Sequence, residues 1–196
     1  MARLDDKERV EVPSSAAWRA WLLEHHTQTE GVWVVTQKKG MPDYVPKMDL
    51  VAEALCFGWI DSVPRKLDAE RMMVYYAPRQ ARSGWSKVNK QLIAKLAVAK
   101  RLHESGLAKI EAAKRDGSWD KLNAIDDLVI PIDLGHALEA VPPARKHFEA
   151  FPASVRRGIL EWIASAKRPA TRKKRIEETA RLAARNRRAN QWPRDC

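Results

Sequence analysis

Apolar and polar positions along this chain follow two periods, one near two residues and one near 3.6, and the switches between them mark its elements. After Pro13-Ser14-Ser15, where Ser14 or Ser15 supplies an N-cap, Trp18, Trp21, Leu22 and His25 fall at i, i+3, i+4 and i+7, a single helical stripe. Gly31 ends the next connection, and Val32 to Lys38 is a β-branched run apolar enough for burial on both faces. Asp49 can cap a helix carrying Val51, Ala52, Leu55 and Cys56, which Gly58 terminates in left-handed geometry. Trp59 to Arg65 then reads as a strand with Pro64 at an edge or a bulge, Leu67 to Glu70 as a hairpin turn, and Arg71 to Ala77 as the return strand.

From Ser86 the longer period returns. Val88, Leu92, Ile93, Leu96, Val98 and Leu102 predict a helix ending near Ser105-Gly106, and Leu107 to Arg115 a second, short one stopped by Asp116-Gly117. Trp119, Leu122 and residues 126–133 form an irregular connector, because Pro131 interrupts any regular helix there. The last third is helical, with Pro143, Pro152 and Pro169 at first-turn positions. One stripe runs through Val155, Ile159, Trp162, Ile163 and Ala166, and another through Ile176, Thr179, Ala180 and Ala183 on a helix starting near Thr171. The pattern predicts an α+β fold: a small antiparallel β-sheet of about three strands (32–38, 59–65 and 71–77) covered by helices within 1–130, a C-terminal helical lobe over 131–186, and a flexible tail over 187–196.

Composition changes this picture little. A hydrophobic fraction of 45% with eight Trp suffices for a core, and 31% charged residues argue for a soluble protein. The opening residues are charged, without the apolar run of a signal peptide, and no stretch is long and apolar enough for a membrane span. Cys56 and Cys196 have neither metal nor redox spacing, so no disulfide and a cytoplasmic setting are expected. Charge changes it more. Of the net +11, +8 comes from residues 167–188, with ten Lys/Arg and two Glu. Lys167, Arg168, Arg172, Lys173, Lys174, Arg175 and Arg181 are therefore candidates for non-specific nucleic-acid contact, against the commoner reading of a solvated helix face.

Three ordered runs, EALCFGWIDS (Glu53 to Ser62), PR…SGWSKVNK (Pro78 to Lys90) and AKRDGSW (Ala113 to Trp119), together with FPASVRRGILEWIASAKRPATRKKRIEET (Phe151 to Thr179), resemble the YdeI/OmpD-associated, bacteriocin-protection-like proteins of bacteria. The resemblance spans about residues 15 to 185 and implies a role in protection against bacteriocins or envelope stress, with no settled chemistry.

The densest candidate chemistry lies between Trp59 and Asn89. Asp61 sits among apolar residues on a short strand and needs a partner if buried; Arg65, Arg79 and Arg82 are candidates. Arg79 and Arg82 precede Ser86, whose helix start exposes N–H groups suited to an anion, and Trp59, Tyr75 and Trp85 offer ring faces. A pocket of Trp59, Asp61, Arg65, Tyr75, Arg79, Arg82, Trp85, Ser86 and Asn89 is expected to bind an anionic or aromatic small molecule or peptide without catalysis. The competing readings are a nucleic-acid-binding protein using the basic C-terminal helix and an enzyme with Asp61 as base. The same residues also admit a plain structural account, Asp61 in an ion pair, Ser86 as an N-cap and Trp85 in the core. Cys56 reads as core, the five histidines lack ligand spacing, and no phosphate-loop, dinucleotide or nucleophile-elbow motif occurs. No cofactor and no metal are expected.

Overall fold

A computed structural model describes residues 4–190. Two compact units meet at Lys121/Leu122 in the sequence.

The first unit is built on a four-stranded mixed sheet of order β1-β2-β4-β3. β2 (Val32–Gln37), β3 (Trp59–Lys66) and β4 (Arg71–Pro78) are the antiparallel strands expected from the pattern. β1 (Arg9–Glu11) adds a fourth, parallel to β2, with Val10 opposite Val34. The Leu67–Glu70 turn is held by Asp68, whose carboxylate accepts the backbone N–H groups of Glu70 and Arg71 and pairs with the Arg71 side chain.

One face of this sheet carries Val32, Val34, Val74, Tyr76 and Trp59 against the helices α1 (Ser15–His25) and α2 (Lys47–Cys56). Trp18, Trp59 and Tyr76 are fully buried there, with Trp18 and Trp59 rings edge-on at 6.4 Å and Trp21 beside them. Each such burial contributes about 1.5–3 kcal/mol. The other face is a smaller cluster of Trp33, Val35 and Met73, flanked by Leu4 and Tyr75. Ser14 caps α1 as expected, accepting the N–H of Ala17.

α3 (Lys87–Val98) and α4 (Glu104–Arg115) differ from the pattern. The expected helix through Leu102 stops at Val98, and Lys100 takes a positive φ of 54°. His103 then starts α4 by accepting the Ser105 N–H, so Ser105 and Gly106 lie inside a helix rather than at the end of one. A buried charge cluster locks this corner. Glu53 on α2 receives Arg19 from α1 at 2.9 Å and Arg101 from the α3–α4 loop.

The second unit contains α5 (Asn123–Asp126), α6 (Ile132–Glu139), α7 (Ala144–Ala150), α8 (Ala153–Ala164) and α9 (Pro169–Ala184). Leu134, Leu138, Phe148, Ile159, Ile163 and Ile176 form its core, together with Ala180 and Ala183 from the predicted α9 stripe. The α5 and α8 helices are tied by Arg157 to Asp126 at 2.7 Å. The expected tail over 187–196 lies partly outside the described residues; within them, Ala189 is buried in this core. The α+β class with C-terminal helices thus holds. No helix among the described residues is long and apolar enough to cross a membrane.

Candidate functional site

Gly58 is the point from which the site is built. With φ at 77°, a conformation that favours glycine, it turns the chain from α2 into β3. Its carbonyl accepts the N–H of Arg79 at 2.9 Å, so the exit of β4 is pinned beside the entry of β3. The Arg79 side chain folds inward and is only 5% exposed. Its guanidinium lies over the Trp85 ring, 3.6 Å from the centroid, and Nη2 donates to the Gly84 carbonyl at 2.7 Å. Nε is enclosed with no partner. Among the described residues, Nη1 makes no hydrogen bond and no carboxylate comes within ion-pair distance of this arginine. Loss of water pulls its pKa down to about 10, against the opposing pull of the Asp61 charge.

Two hollows that share part of their lining open beside it. A cleft of about 90 Å³ lies between the 79–85 loop and α4, lined by Arg79, Gln80, Arg82, Trp85, Lys109 and Asp116 among others. A groove of about 520 Å³ shares Arg79, Gln80 and Lys109 and continues to His26, Thr27, Gln28, Thr29 and Ser105. Two glycines allow α4 this close. A Cβ on Gly106 would sit 2.2 Å from the Cys56 carbonyl oxygen, and one on Gly58 would sit 2.6 Å from Lys109 Cγ. The Lys109 stem therefore packs against Gly58, and Lys109 lines both hollows.

The residues expected to form a pocket separate into three places. Arg79 and Arg82 line the cleft, and Trp85 lines it while serving as the surface under Arg79. Trp59 is fully buried in the aromatic core with Nε1 donating to the His26 carbonyl, so it is no open stacking wall. Tyr75 lies on the far face of the sheet against Trp33, and it is Tyr76 that points toward the helices. The Tyr76 hydroxyl is enclosed without a partner, and burial first, then the Asp61 charge, pushes its pKa up.

Arg65 also belongs to the far face, where it pairs with Asp5 and lies over the Trp33 ring at 4.8 Å. The cause is a β-bulge. Asp61 pairs with Tyr76 but Pro64 with Val74, so one extra residue of β3 reverses the alternation beyond it. The acid instead finds Lys47, at the start of α2, at 2.7 Å. A carboxylate so engaged reads as an ion pair rather than the base of the competing enzyme reading. The Ser86 hydroxyl accepts the backbone N–H of Asn89 and so caps α3, and neither residue lines the cleft. Replacing Ser86 with alanine is expected to lower stability by about 1 kcal/mol in denaturant unfolding.

Lys109, Gln80, Ser105 and His26 were not among the expected site residues. One signal was available, the glycine three residues before Lys109, which the sequence pattern places at the junction of two helices and which the structure puts inside α4. Cys56 is buried, its thiol pushed up by loss of water, and serves the core.

The basic C-terminal segment is partly committed to its own unit. Arg172 forms a two-pronged pair with Asp133 at 2.8 and 3.0 Å, and Arg175 donates to the Trp162 carbonyl while lying over its ring. Lys173 lies 3.9 Å from Glu177. Lys167, Arg168, Lys174 and Arg181 are exposed. The seven candidate cations thus divide between structural partners and solvent.

Fold and site together define an α+β protein with a basic cleft on its sheet-bearing unit and a separate helical unit. The chain belongs to the family of a domain of unknown function (DUF8412), matched over residues 10–109, and its helical unit carries the family region described as Bacteriocin-protection, YdeI or OmpD-Associated, over 127–186. The second is the family that the sequence resembles. EALCFGWIDS and SGWSKVNK fall inside the first match, the Phe151 to Thr179 run inside the second, and AKRDGSW between the two. No curated protein and no solved structure matches the chain.

Proposed function

We propose that this is a non-catalytic, bacteriocin-protection-type protein whose sheet-bearing unit takes the anionic group of a small molecule or peptide into the cleft at Arg79. One observation carries the reading: an arginine 5% exposed, with no carboxylate partner among the described residues and with Nε and Nη1 unengaged there, on the wall of a hollow. Holding a charge out of water without a counter-ion costs several kcal/mol, and an arriving anion recovers part of that through charge-assisted hydrogen bonds. Lys109 and Arg82 also line this cleft. The family region over 127–186 supports the protective role.

The test is calorimetric titration with inorganic phosphate and with sulfate at low ionic strength, where surface charge is least screened. Saturable binding is expected, weakened at least tenfold in Lys109→Met, a change on an exposed side chain, and abolished in Arg79→Met. A wild-type protein that takes up neither ion, or a Lys109→Met variant that binds as well as wild type, would overturn the reading.

A further inference from the structure

Resting on that reading, we infer that the ligand is a phosphate monoester of a polyhydroxylated small molecule, with its phosphate in the cleft and its hydroxylated body in the adjoining groove. The charge balance of the cleft asks for a dianion. Arg79, Arg82 and Lys109 line it against the single carboxylate of Asp116, an excess of two positive charges. A phosphate monoester carries about −1.5 to −2 near neutral pH, whereas a carboxylate carries one charge. The cleft, at about 90 Å³, is room for a small charged head, and the groove of about 520 Å³, which shares Arg79, Gln80 and Lys109 with it, is where the organic part would lie.

The chemistry of the groove selects what that body is. Thr27, Thr29 and Gln80 line it, and their side chains make no hydrogen bond within the described residues, so two hydroxyls and an amide stand ready to exchange hydrogen bonds with a ligand. The rings that would stack a nucleobase are elsewhere. Trp59 is in the core, Trp85 is covered by Arg79, and His26 is the one ring in the groove lining. His26 is itself held in place, its Nδ1 at 3.2 Å from the Leu22 carbonyl and its ring edge-on to His103 at 4.6 Å. Hydroxyl and amide groups beside a phosphate-sized cleft favour a sugar phosphate over a nucleotide or an aromatic anion.

The full-length protein is titrated with D-ribose 5-phosphate, inorganic phosphate and adenosine 5′-monophosphate under one low-salt condition. Ribose 5-phosphate is expected to bind at least tenfold tighter than phosphate and at least as tightly as the nucleotide. In a Thr29→Val/Gln80→Leu variant, both changes being on exposed side chains, the ratio of the ribose 5-phosphate and phosphate affinities is expected to fall close to one. Equal affinities for phosphate and ribose 5-phosphate in the wild type would overturn the polyol body while leaving the anion cleft standing. A nucleotide bound tenfold tighter than ribose 5-phosphate, or a ratio unchanged in the variant, would overturn it too. No binding of any of the three would remove the anion cleft itself.

Discussion

Glu53→Ala is expected to lower the stability of the sheet-bearing unit by roughly 2–3 kcal/mol. Glu53 is 4% exposed, and both of its oxygens are used, one by Arg19 and one by Arg101. Removing one partner of a buried ion pair generally costs about 3–5 kcal/mol, because the remaining charge is stranded. Here the stranded charges have an escape. The Arg19 and Arg101 side chains are 31% and 45% exposed and can turn toward water, which places the effect below that range. The loss is still large because the triad joins three parts of the chain, α1, α2 and the loop from α3 to α4. Arg101 also matters to the backbone, since its carbonyl accepts Arg19 Nη2 at 3.1 Å. Thermal unfolding is expected to fall by about 5–10 °C. Glu53→Gln, which keeps two polar atoms but not the charge, is expected to lose about half as much. An alanine variant melting within 1–2 °C of wild type, on the order of the effect of a surface substitution, would show that the triad adds no net stability.

Gly106→Ala is expected to destabilise the protein by about 2 kcal/mol, although helix propensity alone predicts the opposite sign. In an exposed helix interior, alanine is favoured over glycine by about 0.8–1 kcal/mol. At this position the added Cβ would meet the Cys56 oxygen at 2.2 Å and the Leu55 oxygen at 3.0 Å, both backbone atoms that cannot swing aside. Either α4 moves off the end of α2 or the contact strains both, and overpacking of this kind costs roughly 1–3 kcal/mol. Movement of α4 would carry Lys109 away from Arg79, so weaker phosphate uptake is expected together with the lower denaturation midpoint. A Gly106→Ala protein as stable as wild type or more so would mean that the approach of α4 to α2 is looser than the structure gives.

The parts of the fold that were legible in the sequence are those decided by neighbours in the chain. Ser14 and Ser86 cap their helices with the predicted geometry, Gly58 ends α2 with a positive φ, and Asp68 organises the hairpin turn. Each depends on atoms within three or four residues. The parts that were not legible depend on distant partners. β1 is three residues long, and only its pairing with β2 makes it a strand. The helical period from Val88 to Leu102 runs unbroken through Val98, and the true break is set by His103, which is outside the residue types that favour helix starts. In the site, Arg79 and Arg82 were legible as cations beside a turn, but not the burial of Arg79, which requires Trp85 beneath it. Lys47 as the partner of Asp61 and Asp133 as the partner of Arg172 lie 14 and 39 residues away in sequence, beyond the reach of any periodicity.

The unpaired residue in β3 has a consequence for how this chain tolerates change. Upstream of it the strand answers to the tryptophan core, and downstream to the cluster around Trp33 and the N-terminal segment that Arg65 holds through Asp5. Lengthening the 67–70 turn would leave both allegiances intact. Excising one of the two residues between Asp61 and Pro64 would remove the bulge while leaving Pro64 opposite Val74 and Arg65 opposite Met73, so at this spot the strand can lose a residue without its flanking side chains changing face.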